Sequence, residues 1–165
     1  MTTAAITVYL GLGANMGDRK ANLKRALDLL AQRLRIKQVS STYETEPMGN
    51  VDQPRFLNLA CQVQTRLVPE ALLALAKGTE QKLGRTGKSG APRPIDIDIL
   101  LYGDQTVDSP ELTIPHPKMM ERGFVLVPLA QIAPDVTHPA NGKTAQQLLQ
   151  ELKKGKQGVL PFGKG

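Results

Sequence analysis

The chain has 165 residues, 41% of them hydrophobic, which is enough for one core and too few for two separate domains. Most of its net charge of +6 lies on four lysines of an acid-free tail after Leu152, and with three Phe, three Tyr and no Trp a single-strand nucleic-acid binder is disfavoured. No apolar run approaches the roughly 20 residues of a membrane-spanning helix and no signal-peptide pattern is present, so we expect a cytoplasmic protein without a membrane or nucleic-acid partner.

The first part of the chain predicts a strand, a helix and a second strand. The strand covers 6–13, and a helix begins near Asp18 after the turn at Gly13. Residues 36–45 are rich in Val, Ser, Thr and Tyr and predict one extended strand, which the following Pro and Gly residues end. The helix is amphipathic, and its apolar stripe consists of Leu23, Ala26, Leu27, Leu30 and Leu34.

The middle of the chain repeats the pattern. A strand is predicted over 56–67, in which Cys61 has the features of a small buried hydrophobe. Pro69 precedes a helix over 70–83, which ends at a glycine. A loop rich in Gly and Pro follows, and 95–102 predicts the last strand. The order strand-helix-strand-strand-helix-strand predicts a ferredoxin-like α+β fold, an antiparallel sheet with both helices on one face.

The C-terminal third predicts additions to this fold. Gly123 to Ile132 is an apolar stretch that fits either a strand or a helix, and 144–152 predicts a short closing helix. We therefore predict a single domain over 1–154. The remainder, 155–165, is a basic tail of Gly and Lys that we expect to be mobile.

The strongest local signal for chemistry is the pair Asp96 and Asp98 in the last predicted strand. Positions two apart share one side of a strand, so the two carboxylates lie together while Ile95, Ile97 and Ile99 enter the core. Two carboxylates at such a short distance repel each other. A Mg²⁺ ion relieves that repulsion and also binds substrate phosphates. An isolated pair of this kind is more often solvent-facing and paired with lysines. The neighbouring Arg93, a bidentate phosphate ligand, favours a metal and phosphate site.

Five ordered segments resemble one known family. They are 91–100 (APRPIDIDIL), 12–15 (LGAN), 45–49 (TEPMG), 52–58 (DQPRFLN), and 114–116 (IPH) with 122–124 (RGF). Together they resemble the 6-hydroxymethyl-7,8-dihydropterin pyrophosphokinases of folate synthesis, over about 6 to 134. The resemblance implies a ferredoxin-like fold and transfer of the diphosphate of ATP to the pterin hydroxymethyl group, with release of AMP.

The resemblance also implies roles at the phosphate end of a site. Asp96 and Asp98 are similar to the ligands of two Mg²⁺ ions that bridge the ATP phosphates. His116 and Arg122 match residues that stabilise charge on the transferring group. Considered without the family, a histidine between two prolines favours a structural role. The implied catalytic set is Arg85, Arg93, Asp96, Asp98, His116 and Arg122. The implied nucleotide contacts are Glu80, Arg85, Arg93, Ile99 and His116.

At the pterin end, Phe56 and Phe124 resemble an aromatic pair that sandwiches the ring. Asn58 shares a strand face with Phe56 and can both donate to and accept from the amide edge of the pterin. The backbone of Thr45 and Met48 is implied to complete the edge contacts. Without the family, both phenylalanines are ordinary core residues.

Two alternatives remain open. The loop between Arg85 and Asp96 is shorter than in well-known relatives and lacks their tryptophan, which is compatible with a non-catalytic pterin or nucleotide binder. A small RNA-binding α+β module is the other alternative, suggested by the fold and the basic tail. We expect a monomer that binds ATP, the pterin and Mg²⁺.

Overall fold

One antiparallel sheet forms the middle layer of the molecule. The computed structural model describes residues 4–45, 55–84, 94–152 and 159–161. Its strand order is β5-β1-β4-β3-β8, and β2 pairs with β4 beyond the end of β3. This order confirms the predicted ferredoxin-like fold. The elements are β1 (Ile6–Ala14), α1 (Arg19–Ala31), β2 (Arg35–Val39), β3 (Tyr43–Thr45), β4 (Phe56–Thr65), α2 (Pro69–Lys82), β5 (Asp96–Tyr102), β6 (Val107–Asp108), β7 (Thr113–Ile114), a 3₁₀ turn (Met119–Glu121), α3 (Gly123–Ile132), α4 (Ala145–Leu152) and β8 (Val159–Pro161).

Local signals define the two helices on the first face of the sheet. The Asp18 carboxylate accepts a hydrogen bond from the Ala21 backbone N–H at 3.1 Å and caps α1. Pro69 is the first residue of α2, where its missing N–H costs nothing. Gly84 follows α2 with φ of +94°, a conformation that other residues adopt only with strain. The two predicted helices are therefore confirmed, although α1 ends at Ala31, before Leu34 of the predicted stripe, and α2 covers Pro69–Lys82.

Two apolar clusters lie on opposite faces of the sheet. The larger one joins α1 and α2 to alternate residues of the central strands, and in it Cys61 is buried as predicted. Burial raises the pKa of this thiol to about 12. The smaller cluster joins α3 and α4 to Ala60, Leu100 and Leu101. Because α3 covers only part of the second face, the polar residues of β4 and β5 lie beside it.

One sequence prediction needs correction, and one stretch whose type was left open is now assigned. The strand predicted over 36–45 is divided into β2 and β3, because Ser40 bonds Ala60 twice: its N–H donates to the Ala60 carbonyl and its hydroxyl accepts from the Ala60 N–H. The stretch of undetermined type is the helix α3, which includes Pro128. It is helical because its apolar residues pack on several sides, with Val125, Leu126 and Leu129 all buried.

Part of the predicted C-terminal tail lies within the described residues. Residues 155–165 were expected to form a mobile tail, and within them Val159–Pro161 forms β8 and pairs with β3. The physical reason is the outer edge of β3, which presents backbone donors and acceptors that a further strand can pair. A membrane-spanning helix is not found among the described parts of the chain.

Candidate functional site

Asp96 and Asp98 lie on the second face of β5, and both are half-buried. The three isoleucines between and beside them, Ile95, Ile97 and Ile99, are buried in the larger cluster on the opposite face. The predicted alternation is therefore confirmed, and the two carboxylates project from one side of an edge strand. Ile99 was also expected to contact a nucleotide, but its side chain is buried with the core residues, so only its backbone remains for such a contact.

Gly13 of β1 stands between the carboxylates and the amide of Asn58. In the strand register it pairs with Asp96 of β5 on one side and with Asn58 of β4 on the other. Adjacent strands lie about 4.8 Å apart, so the backbones of Asp96 and Asn58 are separated by roughly 10 Å. Since glycine has no side chain, nothing rises from β1 between these two polar groups. The sequence predicted a turn at Gly13, whereas β1 continues through it to Ala14 and keeps it in the sheet.

Asn58 is held in place by Thr45. Its Nδ2 donates a hydrogen bond to Thr45 Oγ1 at 2.7 Å, and both residues are buried. Phe56 begins β4 and borders the same position, with its Cδ1 atom close to Gly13. Three of the residues predicted for the pterin end are thus brought together. The structure adds a contact of the Thr45 hydroxyl, where only its backbone was expected to act.

His116 is placed by an irregularity of β5. Tyr9 pairs with Leu101 and Leu10 with Ile99, so Leu100 is an extra residue in the ladder. The Leu100 carbonyl accepts from the His116 backbone N–H at 3.1 Å. The His116 imidazole then lies with Nε2 3.8 Å from Asp98 Oδ1, and these side chains are 20% and 29% exposed. The bulge therefore positions the imidazole beside the carboxylate pair.

The protonation of His116 follows from its surroundings. Its Nδ1 accepts a hydrogen bond from the Lys118 backbone N–H at 3.2 Å, so the neutral ring carries its proton on Nε2. Burial lowers the pKa of His116, and the positive charges of Arg122 and Lys118 lower it further, while Asp96 opposes them. At neutral pH we therefore expect a neutral imidazole that donates from Nε2.

Arg122 precedes α3 and has a buried donor. Its Nε lies out of contact with solvent and has no hydrogen-bond partner among the residues that the structure describes. Its guanidinium carbon lies 5.2 Å from the centroid of the Phe124 ring, which is a cation–π contact. A buried donor without a partner costs about 1–3 kcal/mol, so this position favours a ligand with acceptor oxygens.

Glu80 is a residue of α2, and its side chain contacts the backbone of β5. It is 3% exposed, and its Oε2 accepts from the Ile97 N–H at 2.7 Å. Ile97 stands between the two aspartates, so Glu80 supports the strand that carries them. Its nucleotide contact stays a prediction, and the hydrogen bond to Ile97 is internal to the protein. Three further predicted residues, Met48, Arg85 and Arg93, lie outside the described residues.

Arg19 joins two strand ends near the residues predicted for the pterin, and it was not among the residues predicted for the site. Its Nη1 donates to Glu44 Oε2 at 2.9 Å and to the Arg55 carbonyl at 2.8 Å. Glu44 precedes Thr45, and Arg55 precedes Phe56, so the contact fixes the end of β3 to the start of β4. The partners are far apart in the chain, and no local pattern marks them.

Comparisons with known proteins identify relatives of this chain. Residues 9–134 match the family model described as 7,8-dihydro-6-hydroxymethylpterin-pyrophosphokinase. The 2-amino-4-hydroxy-6-hydroxymethyldihydropteridine pyrophosphokinase of Bacillus subtilis is 42% identical over 157 residues, which is 93% of this chain and 94% of that protein. The protein of the same name from Aquifex aeolicus is 40% identical and covers 88% of this chain and 91% of its own length.

A solved structure shows the same fold. The crystal structure of wild-type Plasmodium falciparum HPPK-DHPS with pteroate superposes with a TM-score of 0.71 at 19% identity. The match covers 90% of this chain and 42% of that longer chain. At this identity the likeness concerns the fold alone.

Proposed function

The chain belongs to the 7,8-dihydro-6-hydroxymethylpterin pyrophosphokinase family and is a pyrophosphokinase of folate biosynthesis, and from that premise we propose where its two substrates bind. ATP lies with its phosphates at Asp96 and Asp98. The pterin lies with its amide edge at Asn58. Its hydroxymethyl group points across the neighbouring strands, over Gly13, toward Asp96. The observation that carries this proposal is the register of Asp96, Gly13 and Asn58 across three neighbouring strands of one face.

The phosphate end is suited to magnesium. Asp96 and Asp98 would hold two Mg²⁺ ions. The two aspartates are half-buried and lie on one face of the strand. The described residues contain no group of three or more His, Cys, Asp or Glu side chains that could hold a metal, so phosphate oxygens and water would complete the coordination. Mg²⁺ favours such a shared ligand set. When bound, it neutralises charge on the group being transferred.

Two protein donors act beside the carboxylates. The buried Nε of Arg122 would gain an acceptor from a phosphate oxygen, which satisfies a donor that the protein itself leaves without a described partner. His116 would donate its Nε2 proton to a second oxygen, since its Nδ1 is engaged by the Lys118 N–H. The Lys118 contact holds the His116 ring in place, and preorganised donors stabilise developing charge most effectively.

The pterin end supplies one polar edge and an aromatic surface. Asn58 presents a carboxamide whose orientation is set by Thr45, so it can pair with the amide-like edge of the ring. Phe56 at the start of β4 and Phe124 at the start of α3 would stack on the two faces of the ring. Stacking of this kind contributes about 0.5–1.5 kcal/mol beyond the burial of area. The ring would thereby hold its hydroxymethyl oxygen toward the phosphates.

The proposal is tested by product analysis. The purified chain is incubated with Mg²⁺, ATP and 6-hydroxymethyl-7,8-dihydropterin, and AMP and the pterin diphosphate are quantified by mass spectrometry. Equal amounts of both products are expected, and omission of either the pterin or Mg²⁺ should abolish them. Binding of both substrates without AMP would instead indicate a non-catalytic pterin and nucleotide binder, and would overturn the proposal.

A further inference from the structure

Gly13 leaves no room for a side chain beside the predicted pterin-binding amide. A Cβ atom added to Gly13 would lie 2.7 Å from Asn58 Oδ1 and 3.5 Å from Phe56 Cδ1. An approach below 3.0 Å is one that real Cβ atoms essentially never show. The carboxamide of Asn58 therefore occupies the space that any other residue at this position would fill.

Asn58 cannot move aside without losing a contact. Its side chain is short, the residue is 4% exposed, and its Nδ2 is tied to the hydroxyl of Thr45, which is itself 1% exposed. The amide thus lies between the Thr45 hydroxyl on β3 and the bare backbone of Gly13 on β1. In this arrangement Nδ2 faces the hydroxyl and Oδ1 faces the glycine.

We propose that Gly13 and Thr45 are positioning residues that fix the orientation of the Asn58 carboxamide, and thereby set the affinity for the pterin. This inference rests on the proposed function, because it concerns the substrate edge that Asn58 recognises there. Recognition of an amide-like edge requires a donor and an acceptor in a fixed order. A rotated or displaced carboxamide would present the wrong pair and leave polar groups of the ligand without partners.

The chain contains a matched control for Gly13. Gly11 lies two residues earlier in β1 and therefore faces the same side of the sheet. The three atoms nearest to a Cβ added there would belong to the Leu100 side chain, the closest at 3.5 Å, which is an ordinary van der Waals contact. Both substitutions to alanine reduce the freedom of the unfolded chain in the same way. A difference between them therefore reports the contact with Asn58.

The test measures binding of the pterin and of an unreactive ATP analogue separately, by calorimetry. Gly13→Ala is expected to weaken pterin binding by about tenfold or more, and Gly11→Ala by less than about threefold. In Gly13→Ala the affinity for the ATP analogue should fall by less than the affinity for the pterin. Equal pterin affinities of wild type and Gly13→Ala would overturn the inference.

A double variant separates positioning from general damage to the fold. If Gly13 acts through Asn58, then adding Gly13→Ala to an Asn58→Ala protein should cause no further loss of pterin affinity, because the clashing amide is gone. Additive losses would overturn the inference. A wild-type protein that binds no pterin would overturn both this inference and the proposed function, whereas normal binding with an insensitive Gly13→Ala overturns this inference alone.

Variants of Thr45 keep the inference falsifiable if Gly13→Ala does not fold. Thr45→Val retains the shape of the side chain and removes the acceptor of the Asn58 hydrogen bond, while Thr45→Ser retains the hydroxyl. We expect about a tenfold loss of pterin affinity for the first and less than about threefold for the second. Equal affinities of these two variants would overturn the role of the hydroxyl.

Discussion

Glu80 of α2 accepts a hydrogen bond from the backbone N–H of Ile97 at 2.7 Å, at the residue of β5 that separates Asp96 from Asp98. β5 is at one edge of the sheet, so this N–H requires an acceptor outside the strand ladder. The buried carboxylate meets that requirement and links α2 to the strand that carries both aspartates.

Loss of this acceptor should destabilise the protein. Glu80→Ala leaves the Ile97 N–H without the Glu80 oxygen, and we expect the free energy of unfolding to fall by about 1–3 kcal/mol. Glu80→Gln retains an amide oxygen and should lose less. Urea denaturation of the three proteins measures the difference. Equal losses in the two variants would indicate that the negative charge matters rather than the acceptor.

The two aspartates should be needed for turnover and not for folding. Asp96→Asn and Asp98→Asn each remove one charged ligand of the proposed metal, and we expect turnover to fall by about 100-fold or more. Binding of Mn²⁺ in the presence of the nucleotide, followed by electron paramagnetic resonance, should weaken in parallel. Asp108→Asn, a change at an exposed carboxylate of β6, is the control. Near-normal turnover in either site variant would contradict the metal assignment.

Arg122 should be important for catalysis and nearly neutral for stability. Its Nε is buried without a described partner, so Arg122→Met removes an unsatisfied donor as well as the cation–π contact with Phe124. These effects oppose each other, and we expect the free energy of unfolding to change by less than about 1 kcal/mol. Turnover should fall by about 100-fold, since a donor to the phosphates is lost. A strongly destabilised variant with normal turnover would show that Arg122 has a structural role instead.

The thiol of Cys61 should be unreactive in the folded protein. It is fully buried, and its pKa is raised to about 12, so very little thiolate forms near pH 8. An aromatic disulfide reagent added to the native protein should give no colour change over minutes, and one thiol per chain should react after denaturation. Rapid reaction of the native protein would contradict the buried position.

Local patterns predicted much of the framework because their physics is local. The positions of Asp96 and Ile97 on opposite faces follow from the alternation of a strand, and the apolar stripe of α1 follows from the helical period. Pro69 and Gly84 marked the ends of α2 through their own backbone preferences. The order of these elements was then sufficient to predict the ferredoxin-like sheet.

Other features depend on which distant segments meet. The sequence could not show that Ser40 interrupts the second strand, because its partner is the backbone of Ala60. It could not place His116, whose position follows from the extra residue Leu100 in β5. Nor could it show that Val159–Pro161 pairs with β3, since strand composition does not identify a partner.

The sequence by itself determined which residue types face the same side of each strand, and through five ordered segments it determined the family. Only the tertiary structure decided that Gly13 separates Asp96 from Asn58 and that Glu80 turns inward to Ile97. The physical reason is that the face of a side chain depends on its own strand. The register between strands depends on packing and hydrogen bonds between segments far apart in the chain.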